Sequence, residues 1–316
     1  MLQRFFHTGL LTVCLLSVPR LAAGQEVALH FALQAGEQAF SCASPALPLG
    51  QPPVSTRLKD AKFYLSDIRL IRDDGQPQVL QLRADAWQSR DVALLDFVPG
   101  GGSCHAGTIG PVHDTVQGEV PAAHYRGLLF TIGVPVLGLN PQGQAVSLNH
   151  GNFELADAPL DRASMAWSWQ VGRKFIKLEL LPEGGVARSN GRAAVWTLHL
   201  GSTGCSGNPA EAGTVHCLSP NRVSVMLPDF DPAQDHVVLD VARLLAGSNL
   251  AEDKGGACRY STLPVWEGDS PARNNMLASA RGLAGRMPQP LQQEINKRAN
   301  PGRQMAVLRI GYGKLP

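Results

Sequence analysis

Thirty-three glycines and 23 prolines spread through 316 residues cut this chain into short stretches. Proline lacks a backbone donor and fixes φ, while glycine enters turn conformations closed to other residues, so long helices are disfavoured. Between these breaks the apolar residues recur with the period of a strand. Val27, Leu29, Phe31 and Leu33 alternate, and Lys62 to Ile71 alternates well enough for a half-buried strand. Asp73-Asp74-Gly75 reads as a turn, Val79 to Leu82 as the return strand, and Val92 to Phe97 as the next, closed by Gly100-Gly101-Gly102. Tyr125 to Val134, Phe175 to Leu180, Ala193 to Leu200, Val223 to Leu227 and Val237 to Leu239 continue the series, with a helical turn at Val241 to Leu245. Lys177 and Glu179 fall on one side of their strand, which predicts a solvated face. The fold class expected is all-β: a β-sandwich or barrel of many short antiparallel strands with long loops.

A formal net charge of +2 gives no electrostatic footprint for nucleic acid. The beginning of the chain carries Arg4, a short apolar run from Gly9 to Val18 and small residues at Ala22-Ala23-Gly24. This is the pattern of an export signal, with an apolar run too short for a resident membrane span. Three regions are therefore expected: a signal peptide over 1–24, a β domain over 25–268 and a basic tail over 269–316. In the tail eight Arg and Lys residues from Arg273 to Lys314 face the acidic Glu294, and a solvated or disordered segment is expected.

Export to a periplasm or beyond favours paired cysteines. Cys205 and Cys217 bracket a short loop whose closure contributes about 3 kcal/mol in the chain-entropy model. Cys42 with Cys104 is the second expected pair, leaving Cys258 over. No Cys-x-x-Cys spacing supports a zinc ribbon, a thioredoxin-type site or covalent haem.

Unusual chemistry concentrates between Met165 and Cys217. There Met165-Ala166-Trp167-Ser168-Trp169-Gln170 is followed by His199-Leu200-Gly201-Ser202-Thr203-Gly204-Cys205. The chain has no zinc-protease signature, nucleophile elbow, phosphate loop or dinucleotide fingerprint, so an ordinary hydrolase is not expected. His30 and His199 each sit inside an apolar strand, where a buried imidazole needs a partner, and a shared metal would supply one. Trp167 and Trp169, two apart, point the same way on a strand. Trp196 and His199, three apart, fall on opposite faces.

These residues resemble the MbnP family, the copper-binding half of a metallo-mystery pair. The resemblance rests on Phe40-Ser41-Cys42, Phe63 to Leu70, Trp87-Gln88, Leu94 to Phe97, Gly133-Val134-Pro135, Asn149-His150, Met165 to Gln170, Gly172 to Phe175 and His199 to Cys205. It implies copper held by histidines together with a kynurenine, formed when a di-haem, peroxidase-like partner of the MbnH type oxidises a tryptophan. Indole nitrogen only donates, whereas the aryl amine left by ring opening can bind a metal. The resemblance carries His199, His150 and, more loosely, His30 over as copper ligands. Trp167, Trp169 and then Trp87 are carried over as candidate oxidation sites. The competing expectations are a secreted adhesion or carbohydrate-binding sandwich with the tryptophans as a sugar platform, and a zinc or calcium site using Asp67 and Asp96.

Overall fold

The strand Val54–Arg72, 19 residues long, is the axis of the molecule. The computed structural model describes residues 24–140, 142–167, 172–253 and 311–314. Within the long strand Leu58, Ala61, Phe63, Leu65, Ile68 and Leu70 all reach the main core, although strict alternation would lose that face twice. Two register shifts restore it. One lies opposite Glu179/Leu180 and the other between Ser66 and Arg69, where Asp67 takes a left-handed φ of 52°.

Around this strand a sheet forms in the order Trp196–Gly201, Lys174–Pro182, Val54–Arg72, Tyr125–Ile132, Val223–Leu227, with Leu47–Leu49, Pro77–Val79 and Val92–Asp96 also pairing with the long strand. A second sheet runs Gly311–Lys314, Asp235–Asp240, Gly24–Ala35, Thr115–Pro121, Gln81–Leu82. Its one parallel pairing joins Gly24–Ala35 to Asp235–Asp240. Leu29, Phe31, Val237 and Leu239 from this sheet meet Phe63, Phe130, Ile176, Leu198 and Val225 from the first in a single core. Each such side chain removed from water contributes roughly 2 kcal/mol. The fold is all-β, as the turn punctuation requires. Among the described residues no helix is long and apolar enough to cross a membrane.

The solvated face expected at Lys177 and Glu179 is not there. Lys177 is 8% exposed and pairs with Asp60 and Glu179, while Lys174 is 7% exposed beneath the 160–166 segment, where it donates to Ser164 O and Ala166 O. Leu160 and Met165 of that segment pack with Tyr64, Val92, Leu94, Val134 and Phe175 in a second, smaller core. In the basic tail, Gly311–Lys314 pairs antiparallel with Asp235–Asp240 and extends the second sheet by one strand. Cys258, Trp266 and the expected signal peptide up to residue 23 lie outside the described residues.

Candidate functional site

The strand Trp196–Gly201 divides its side chains cleanly. Trp196, Leu198 and Leu200 enter the main core, so His199 and Gly201 face the covered outer side. Gly201 carries no side chain there because Trp167 occupies the space: an added Cβ would meet the indole Cζ3 at 2.5 Å and the Arg173 carbonyl oxygen at 2.7 Å. Trp167 does not stand on a strand. A 3-10 turn, Ala163–Met165, precedes it, and its backbone N–H donates to Gly172 O at 3.0 Å. Trp169 lies outside the described residues.

Gly172, at φ 91°, ties this loop to the Asn149-His150 motif. A Cβ there would meet Asn149 O at 2.7 Å and His150 Cδ2 at 3.1 Å. The buried Arg173 donates from Nη1 to Asn149 O and from Nε to Leu160 O, while Asn149 donates from Nδ2 to Ser202 Oγ. His150 itself is 2% exposed. Burial, with the nearby Arg173 charge adding to it, pushes its imidazole down to about 4, so it is neutral and a metal-ligating form at ordinary pH. Its Nδ1 is buried without a hydrogen-bond partner, and its Nε2 lies 3.6 Å from Cys217 Sγ.

His199 is held from behind. Its Nε2 is 3.0 Å from Glu179 Oε1. Burial works to raise the Glu179 carboxyl, but the hydrogen bond from His199 and the Lys177 charge outweigh it and hold it down at about 2. A carboxylate that accepts one ring N–H orients the other ring nitrogen, the arrangement by which proteins aim a metal-binding histidine. Lys177 pairs with Asp60 and, at 3.6 Å, with Glu179; Lys62 joins Asp60 to Asp96. Lys174 donates to Ser164 O and Ala166 O and so fixes the loop carrying Trp167.

The structure thus sets Trp167 against Gly201 and His150 against Gly172, with His199 two residues from Gly201 on the same strand face and its Nε2 turned to Glu179. It does not bring His30 to them. Leu29 and Phe31 point into the core from the other sheet, so His30 faces outward on the opposite side of the sandwich, with Nδ1 3.2 Å from Thr115 Oγ1. Trp87 stands apart too. It stacks on His113 at a centroid separation of 4.7 Å, with Arg162 Cζ 4.6 Å from the ring centroid, and His113 Nε2 is buried without a hydrogen-bond partner. Asp67 is exposed while Asp96 is buried against Lys62, which removes the shared carboxylate site. Both expected disulfides are present, Cys42–Cys104 and Cys205–Cys217. His150, Cys205 and Cys217 present donor atoms within 4.8 Å of one another, but sulfurs joined to each other are not thiolate ligands. Sequence reasoning missed Glu179 as the partner of His199; the strand register sets Lys177 opposite His199 and Glu179 opposite Thr197, so the pair meets on the diagonal.

The MbnP family profile matches residues 24–260. Among solved structures, MbnP from Methylosinus trichosporium is similar at 34% sequence identity and a TM-score of 0.75, covering 93% of this chain and 100% of that one. A search of curated proteins returned no match.

Proposed function

The chain belongs to the MbnP family, and from that premise we propose that it is an exported copper-binding protein and not an enzyme, its copper held by His199 and His150 together with a kynurenine made from Trp167. The oxidant is a di-haem, peroxidase-like partner of the MbnH type. What carries the reading is the placement of the Trp167 indole on Gly201, two residues along the strand face from His199, with His150 across Gly172. The donor set suits copper: imidazole is a good ligand for it, and His150 Nδ1 has no other partner. Opening the indole across its C2–C3 bond adds two oxygen atoms, from one dioxygen or from two peroxides with two waters released, turned over at the partner's haems, and hydrolysis then releases one carbon as formate. The aryl amine that remains is a metal donor where the indole N–H was not. Two disulfides agree with an exported, oxidising location.

Co-production with the di-haem partner tests this. Intact mass is expected to rise by about four units (one carbon lost, one oxygen gained), and only with the partner's cofactor present. Peptide mapping is expected to place the change at Trp167, with one copper bound. His199→Ala and His150→Ala are expected to keep the mass change and lose the metal. No mass change, a change confined to Trp87, or copper retained in both histidine variants would contradict the assignment.

A further inference from the structure

Cys205 and Cys217 sit directly opposite each other in the small antiparallel pair Thr203–Ser206 and His216–Ser219, and both are half-exposed. Cys42–Cys104 is placed differently. It closes 62 residues, and Cys104 packs against the main core, so it serves as a structural staple. Cys205–Cys217 closes only 12 residues. The loop inside it also has ties of its own, from Asn208 to Glu211 and Thr214. The ladder continues through Thr203↔Ser219 and Ser206↔His216, so the hairpin does not depend on the S–S bond for its register.

We propose that reduction of Cys205–Cys217 converts this hairpin into a second metal site, in which the two freed thiolates and His150 hold a soft, thiophilic ion such as Cu(I). Directly opposed residues keep their Cβ atoms about 4.5–5.5 Å apart, so the thiols stay on one face after the bond opens. Three donor atoms within 4.8 Å of one another, with Cys217 Sγ 3.6 Å from His150 Nε2, form the compact triangle that a three-coordinate ion needs. Thiolate is the donor type that selects Cu(I), and His150 is buried beside the pair. The step balances through thiol–disulfide exchange. An external dithiol attacks one sulfur and leaves as its own disulfide, delivering two electrons and two protons to Cys205 and Cys217. The thiols then lose protons to solvent as the metal enters. Half-exposure gives the dithiol access. This site needs neither kynurenine nor the di-haem partner.

The test uses the full domain made without the partner, titrated with Cu(I) held by a chromogenic chelator, before and after reduction. Alkylation mass confirms which cysteines are free, and far-UV circular dichroism reports the fold. Reduction is expected to create one Cu(I) site that outcompetes the chelator. That site is expected to be lost in Cys217→Ser, weakened at least tenfold in His150→Ala, and retained in both Trp167→Phe and the Cys42→Ala/Cys104→Ala double variant. Retention in Trp167→Phe separates this result from any failure of the kynurenine reading. Equal Cu(I) binding by oxidised and reduced protein, no loss in the His150 variant, or collapse of the fold of the Cys42→Ala/Cys104→Ala variant on reduction would overturn the proposal.

Discussion

Gly201→Ala is the sharpest steric probe of the site. The added methyl would sit 2.5 Å from Trp167 Cζ3 and 2.7 Å from the Arg173 carbonyl oxygen, well inside van der Waals contact. The carbonyl belongs to a residue paired with Ala166 and cannot swing away freely, so most of the relief must come from the indole. Overpacking of this kind costs about 1–3 kcal/mol. Gln38→Ala is the control: its side chain is exposed on the two-residue strand Gln38–Ala39. Its effect is expected to stay within about 0.5 kcal/mol. Urea unfolding of both variants, of Trp167→Leu and of Gly201→Ala combined with Trp167→Leu is expected to give a double-mutant cycle with a coupling of at least about 0.5 kcal/mol. In protein co-produced with the proposed partner, the same displacement of Trp167 is expected to lower the kynurenine yield. Wild-type stability in Gly201→Ala, or additivity with Trp167→Leu, would refute the claim that the strand was left bare for the indole.

Glu179→Gln removes the carboxylate that orients His199 and is expected to weaken copper binding about 10–100-fold, read by chelator competition, while leaving the mass change intact. Because Glu179 is held down at about 2, its contribution to stability is present above its unfolded value near 4.5 and disappears as pH falls toward 2. The Gln variant is expected to lose that slope of up to about 3 kcal/mol in acid denaturation. His150 acts in a higher window. Pushed down to about 4 from an ordinary 6.5, it takes up a proton in the unfolded chain first. Stability is therefore expected to fall by about 3 kcal/mol between pH 6.5 and 4, and not in His150→Gln. Among the disulfides, Cys42→Ala/Cys104→Ala is expected to cost about 4 kcal/mol and Cys205→Ala/Cys217→Ala about 3 by loop length, an ordering that thermal unfolding checks.

Much of the scaffold could be read from residues alone, because period-two apolar patterning is set by local burial. Val27 to Leu33 and Phe63 to Leu70 show it, and so does the opposition of Trp196 to His199. Cys205 and Cys217 found each other because proximity along the chain limits their choices. The hidden parts depend on long-range geometry. A bulge changes which parity faces the core without changing composition, so Asp67 gave no warning. Lys177 and Glu179 look like a solvated stripe until Asp60 and His199 on the neighbouring strands meet them. His30 and His199 look alike in sequence, each an imidazole in an apolar strand, yet the sandwich puts its whole core between them. Trp167 was read as a strand residue and instead turns back at Gly172, which brings it to Gly201. A sugar platform would need coplanar exposed indoles, whereas Trp196 is in the core and Trp167 packs on the sheet.

The central claim is that one copper ion sits where His199 and His150 meet the oxidised side chain at position 167. Anomalous diffraction at the copper edge, on crystals of protein co-produced with the di-haem partner, tests it most directly. The account predicts a single strong peak bounded by His199, His150 and residue 167, with an opened ring in the density there. A peak at His30, or at His113 beside a modified Trp87, would contradict it.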